Sequence, residues 1–154
     1  MEPVNSVGII PYFVDPSTGA IRFLAVKNKW GDRNWGFPKG HIDASDGGVW
    51  LTTALRELKE ETGIDSDCVV VQDASGPRGT YASLTYPMRR PTKRVPSGVK
   101  HAAFFLGRVE GQSIPEVSRS AEHQVVGWYP LTLLRIMLPK SYLPILEMLS
   151  NKRL

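Results

Sequence analysis

Glu57, Glu60 and Glu61 lie within Arg56-Glu-Leu-Lys-Glu-Glu-Thr-Gly-Ile64, at i, i+3 and i+4. On a helix this spacing projects all three carboxylates from one face. Leu55 and Leu58 fall on the other side, toward a core, which aims the acids outward together. Like charges about 5 Å apart cost roughly 3 kcal/mol per pair at an effective dielectric near 20, more than a surface helix gains from its side-chain pairs. A cation must compensate them. Oxygen-only ligands suit hard cations, and Mg²⁺ in particular is held by a few carboxylates together with waters and substrate phosphates, with Mn²⁺ as the alternative ion. Arg56 precedes the first acid and is placed to pin one carboxylate through both prongs of its guanidinium. The competing reading is an ordinary amphipathic helix, since Glu, Lys, Arg and Leu favour helices and Gly63 suits a left-handed C-cap.

Two further segments weigh against the ordinary helix: Trp35-Gly-Phe-Pro-Lys-Gly-His41, and Gly40-His-Ile-Asp-Ala-Ser-Asp46 overlapping it. With the helix acids they resemble the Nudix box, whose pattern is Gly, five residues, Glu, seven residues, Arg-Glu, an aliphatic residue, any residue, Glu-Glu, any residue, Gly and an aliphatic residue. Gly40, Arg56, Glu57, Leu58, Glu60, Glu61, Gly63 and Ile64 match. Asp46 stands where the pattern has Glu, and nine residues, 47 to 55, separate it from Arg56 in place of seven. The loop before the helix is thus enlarged by two, which leaves the role of Asp46 open.

The resemblance implies hydrolysis of a nucleoside diphosphate linked to another group, with Glu57, Glu60, Glu61 and the Gly40 carbonyl as metal ligands. Pro38-Lys39-Gly40-His41 is similar to the diadenosine tetraphosphate hydrolase branch, and so is Ala121-Glu-His-Gln-Val-Val-Gly-Trp128. From that branch Glu122 is expected to be a further metal ligand or to help activate water. Its alternative is an exposed loop acid beside a surface histidine, His123. Lys100 before a strand is expected to bind phosphate and Tyr86 to stack on a nucleobase, with Lys39 and His41 at the same mouth. The implied catalytic set is Arg56, Glu60, Glu61 and Glu122.

The elements that must position these residues alternate. Ser6 to Phe13 and Ile21 to Lys27 read as strands joined by the turn former Asp15-Pro-Ser-Thr-Gly19. Trp50 to Thr62 reads as the helix; Cys68 to Gln72, Gly79 to Thr85, His101 to Val109 and Val125 to Tyr129 read as strands. Leu131 to Leu149 carries two short helical patterns broken around Pro139. The order predicts an α/β sandwich with helices on both faces of a mixed sheet, as the resemblance also implies.

A chain of 154 residues, 42% hydrophobic, suits one domain with one substantial core. Its single cysteine, Cys68, excludes an intramolecular disulfide and is expected, among Val69 to Val71, to be a buried thiol in a reducing compartment. No signal-like leader or membrane-length apolar run appears, so an intracellular, cytoplasmic and monomeric protein is expected. Net charge is +4 although the proposed site is acidic. Much of the excess sits in the proline-punctuated loop Met88-Arg-Arg-Pro-Thr-Lys-Arg94, which would steer polyphosphates, grip RNA, or merely be solvated. The expected partner is a nucleoside polyphosphate, above all diadenosine tetraphosphate. An RNA 5′ end, a diphosphoinositol polyphosphate, or a role as an inactive binding module are the alternatives.

Overall fold

Strand β1 (Ser6–Val14) is buried along all but its last residue, as expected of a strand covered on both faces. It pairs in parallel with β7 (Val99–Val109) and antiparallel with β2 (Ile21–Asn28) and β4 (Lys39–His41). In this computed structural model residues 4–29, 34–88 and 90–154 are described. The leader reading at Met1 to Pro3 and the basic residue Arg89 lie outside the described residues. The sheet has eight strands among the described residues; its path runs from β3 (Trp35–Gly36) through β2, β1 and β7 to β5 (Val69–Val71), with β8 (His123–Tyr129) on β2 and β6 (Ala82–Pro87) on β7. The end strands β3 and β5 are short.

Alternation of side chains divides the core into two layers. Val7, Ile9, Leu24, Ala103 and Phe105 face helix α1 (Trp50–Thr62), with its Ala54 and Leu58. Ile10, Tyr12, Phe23, Ala25, Phe104 and Leu106 face the opposite layer, made by α2 (Leu131–Met137) and α3 (Leu143–Asn151). This is the expected α/β/α sandwich on a mixed sheet. Helix α1 has the predicted bounds and ends at Gly63, whose φ of 81° lets its amide reach the Lys59 carbonyl.

Two expectations are corrected. Cys68 is exposed, because it closes a 3-10 turn (Ser66–Cys68) ahead of an edge strand; the strand itself begins one residue later. Gly79 belongs to a turn with φ 81° and not to β6. No described helix is long and apolar enough to cross a membrane.

Leu58 is fully buried between α1 and the sheet. Leu58→Ala is expected to cost about 2–5 kcal/mol of unfolding free energy, measured by urea denaturation, because the cavity cannot be refilled by its β-strand neighbours.

Candidate active site

Helix α1 grades its acids from solvent to interior instead of aiming all three outward. The Glu60 side chain is 55% exposed, that of Glu57 15%, and Glu61 as a residue only 5%. The cause is β4, which crosses the acidic face of the helix. Gly40 has no Cβ at the point where the Glu57 carboxyl group lies, and any Cβ there would overlap it. One residue earlier, the Lys39 amide donates to Glu61 Oε2 at 3.2 Å. Gly8 on β1 plays the matching part behind β4, since a Cβ on it would strike the Pro38 carbonyl oxygen.

Arg56 collects the neighbouring carboxylates. Its Nε and Nη2 donate to Asp46 Oδ1 and Oδ2 at 3.1 and 2.9 Å, and its Nη1 reaches Glu57 and Glu60, each at 3.1 Å. Thr53 Oγ1 also donates to Asp46, at 2.7 Å. The role left open for Asp46 is thereby filled: it is the anchor of the arginine, on the helix side and away from the cleft. The Arg56 and Thr53 hydrogen bonds hold its carboxyl below the ordinary range. Within the enlarged loop, Gly47 and Gly48 take φ of 67° and 74°, a left-handed backbone that glycine adopts without strain.

Burial, and then the charge of Glu57, push Glu61 up to about 9 despite the nearby Lys39. Burial, and then Glu60, raise Glu57. Such carboxyls are destabilised as anions unless a cation joins them. Among the described residues no group of three or more His, Cys, Asp and Glu side chains closes round one point. Glu57 and Glu60 are turned to Arg56 instead, so the guanidinium supplies the positive charge. An open, one-sided arrangement of hard oxygen donors fits a hexacoordinate ion that keeps waters and substrate oxygens.

The acids form one wall of a cleft of about 840 Å³. Gly40, Glu57, Glu60, Glu61, Glu122 and Arg56 meet there with Lys39, His41 and Lys100. Glu122 is exposed, in the turn before β8, where the Lys29 amide donates to its carbonyl at 3.0 Å. It is close enough to raise both Glu57 and Glu61. A second, aromatic hollow of about 260 Å³ takes in Trp35, Phe37, Tyr86 and Tyr142. The two compartments share Asn28, Lys39, Glu61 and His123. Every residue singled out for the site from the sequence thus lies in one or the other.

His123 is not the surface histidine that the alternative reading supposed. It is 4% exposed, its Nδ1 lies 2.9 Å from Ser120 Oγ, and its Nε2 lies 3.8 Å from Glu61 Oε1. Burial lowers its pKa while that of Glu61 is raised, so at neutral pH this is a contact of two uncharged groups. Sequence reasoning also missed Asn28, Trp35 and Tyr142 as lining residues. The signal for Trp35 was its place beside the box, and Asn28 and Tyr142 gave none.

The NUDIX domain profile matches residues 4–149. The bis(5′-nucleosyl)-tetraphosphatase (asymmetrical) of Rattus norvegicus is 34% identical over 118 residues, covering 77% of this chain and 69% of that protein. Its Mus musculus counterpart is 33% identical over the same coverage. The crystal structure of a C. elegans Ap4A hydrolase binary complex superposes with a TM-score of 0.75 at 23% identity, covering 96% of both chains, which establishes the shared fold. With the box residues assembled on α1 and β4 within that fold, the chain belongs to the NUDIX family and is a Nudix pyrophosphohydrolase.

Proposed function

We propose that this protein hydrolyses diadenosine tetraphosphate to ATP and AMP with Mg²⁺. The observation that carries the reading is the junction of an acidic wall with a basic one, opening beside an aromatic hollow. A dinucleoside polyphosphate has the matching parts: a highly charged bridge and flat bases. The asymmetrical tetraphosphatases similar to this chain support the choice.

Glu57, Glu60, Glu61, the Gly40 carbonyl and Glu122 are the residues that would hold Mg²⁺, and Mn²⁺ would fit the same oxygens. When bound, the ion neutralises phosphate charge and acidifies water. Arg56, fixed by Asp46, keeps Glu57 and Glu60 on the cleft side of α1. Lys39 and Lys100 draw the non-reacting phosphates to the basic wall, and His41 stands beside them as a donor. Tyr86 stacks on one adenine, which adds affinity with little base discrimination. Water adds to one phosphorus, a bridging P–O bond breaks, and the proton released passes to Glu122.

Chromatography of products, after incubation with Mg²⁺ and separate samples of diadenosine tetraphosphate, triphosphorylated RNA and diphosphoinositol pentakisphosphate, tests this. ATP plus AMP, formed fastest from the first, is the expected result. Preference for RNA or the inositol compound would replace the substrate assignment.

Glu60→Gln and Glu61→Gln are each expected to abolish nearly all turnover while circular dichroism stays unchanged, since each keeps its shape but can no longer offer an anionic carboxylate to a divalent ion. Glu122→Gln should lower kcat by about 10²-fold. Wild-type rates in these variants would remove the acids from the mechanism.

Without a divalent ion, stability carries a signature of Glu61. Its folded pKa lies near 9, above the ordinary 4.5, so between these values the folded state binds more protons than the unfolded one. Stability of the metal-free protein therefore falls as pH rises across that window. Thermal melts in chelator should show this decline, Glu61→Gln should flatten it, and Mg²⁺ should oppose it most at the alkaline end. A melting temperature independent of pH in the chelated wild type would contradict the assignment.

A further inference from the structure

The register of the sheet sets a second polar group of residues opposite the acids. Ser6 on β1 lies directly across from His41 on β4 and from Ala102 on β7. Lys100 precedes Ala102 by two residues, so its side chain shares that face. Tyr86 lies across from Lys100. Ser6, His41 and Lys100 all line the larger cleft. Ser6 is 1% exposed, and its Oγ has no hydrogen-bond partner among the described residues. A buried hydroxyl left unpaired at the wall of a polar cleft is costly unless a ligand completes it.

The fourth member comes from the extended loop between β6 and β7. The Met88 amide donates to the Gly98 carbonyl at 2.7 Å and closes the base of this loop. Within it, the Thr92 amide donates to the Val95 carbonyl at 3.1 Å, and the Val95 amide to Thr92 Oγ1 at 3.0 Å. Val95 is 2% exposed, so the loop is pinned to the core at that point. Its neighbour Arg94 is thereby held at the rim of the cleft, near enough to depress the pKa of both Lys100 and His41. Arg94 and Lys100, gathered on a partly buried wall, repel one another and await an anion.

We infer that Arg94 and Ser6, with His41 and Lys100, form a seat for a phosphate on the basic wall of the cleft, and that this seat favours longer phosphate bridges over shorter ones. The inference rests on the polyphosphate reading above. Ser6 donates its hydroxyl hydrogen to a phosphate oxygen, and Arg94 closes over the same group with its fork. The loop residue thereby becomes a determinant of specificity and not a general steering charge.

Isothermal titration of inorganic tripolyphosphate into the protein, in chelator and without divalent ions, tests the seat independently of turnover. Arg94→Gln is expected to weaken binding by about tenfold or more. Ser6→Ala should also weaken it, with a melting temperature equal to or above that of the wild type, because no internal hydrogen bond is lost. Arg22→Gln serves as the charge-matched control, since Arg22 is exposed and lies across from Phe13, near the other end of β1. Binding by Arg94→Gln or Ser6→Ala within about twofold of the wild type would overturn that residue's part in the seat, on the scale where a tenfold change is about 1.4 kcal/mol. Kinetics then test length selection: Arg94→Gln should raise KM for diadenosine tetraphosphate more than for diadenosine triphosphate, at little cost in kcat. Equal effects on both would overturn the selection. Should neither dinucleotide be hydrolysed while tripolyphosphate binding still depends on Arg94, the seat stands and the substrate assignment falls.

Discussion

Mutual repulsion among carboxylates is the constraint around which this molecule is arranged. Glu57, Glu60, Glu61 and Asp46 crowd one side of α1, and Arg56 is the cation that three of them share. Asp46 takes the fork of the guanidinium, which fixes the arginine; the remaining Nη1 restrains Glu57 and Glu60. Glu61 has no part in that arrangement and is buried instead, with the Lys39 amide against it. Its proton affinity is the result. Helix, β4 and the loop carrying Asp46 therefore cannot be varied independently, because each supplies a partner to the same charges.

The sheet contributes the opposite property. Parallel pairing of β1 with β7 requires the chain to leave and return from afar. It brings the start of β1 beside the start of β7, where Ser6 and Lys100 belong. Pairing of β4 on the other side adds His41 to the same row. Three of the acids reach the cleft from α1 and Glu122 from the turn before β8, while Lys39, His41 and Lys100 come from strands and Arg94 from a loop. Their meeting place is bounded by Lys39, which borders both acidic and aromatic compartments.

Much of this was legible in the chain. The spacing of Glu57, Glu60 and Glu61 against Leu55 and Leu58 indicated α1 and its buried side, although Leu55 is only partly buried and Ala54 fills that place, and Gly63 marked the helix end. Periodicity did not reveal that β4 would cover one end of the acidic face, so the burial of Glu61 was missed. Strands β3 and β4 are two and three residues long, too short for alternation to register. The run after Cys68 is rich in valine, yet β5 lies at the end of the sheet path, where such residues stay partly open. Composition reports what a strand would like to bury and is silent on whether a neighbour arrives. His123 illustrates the reverse case: a polar residue beside an exposed acid turned out to be interior, because β8 begins with it.

The placement of Cys68 has a practical side. It is the chain's single cysteine and is exposed. It sits next to β5, at the opposite end of the sheet path from β3, whose Trp35 lines the aromatic hollow. A fluorophore, spin label or surface tether coupled through sulfur will therefore attach at one position, without mutagenesis and without crowding the cleft. The protein comes with its own handle for single-site spectroscopy.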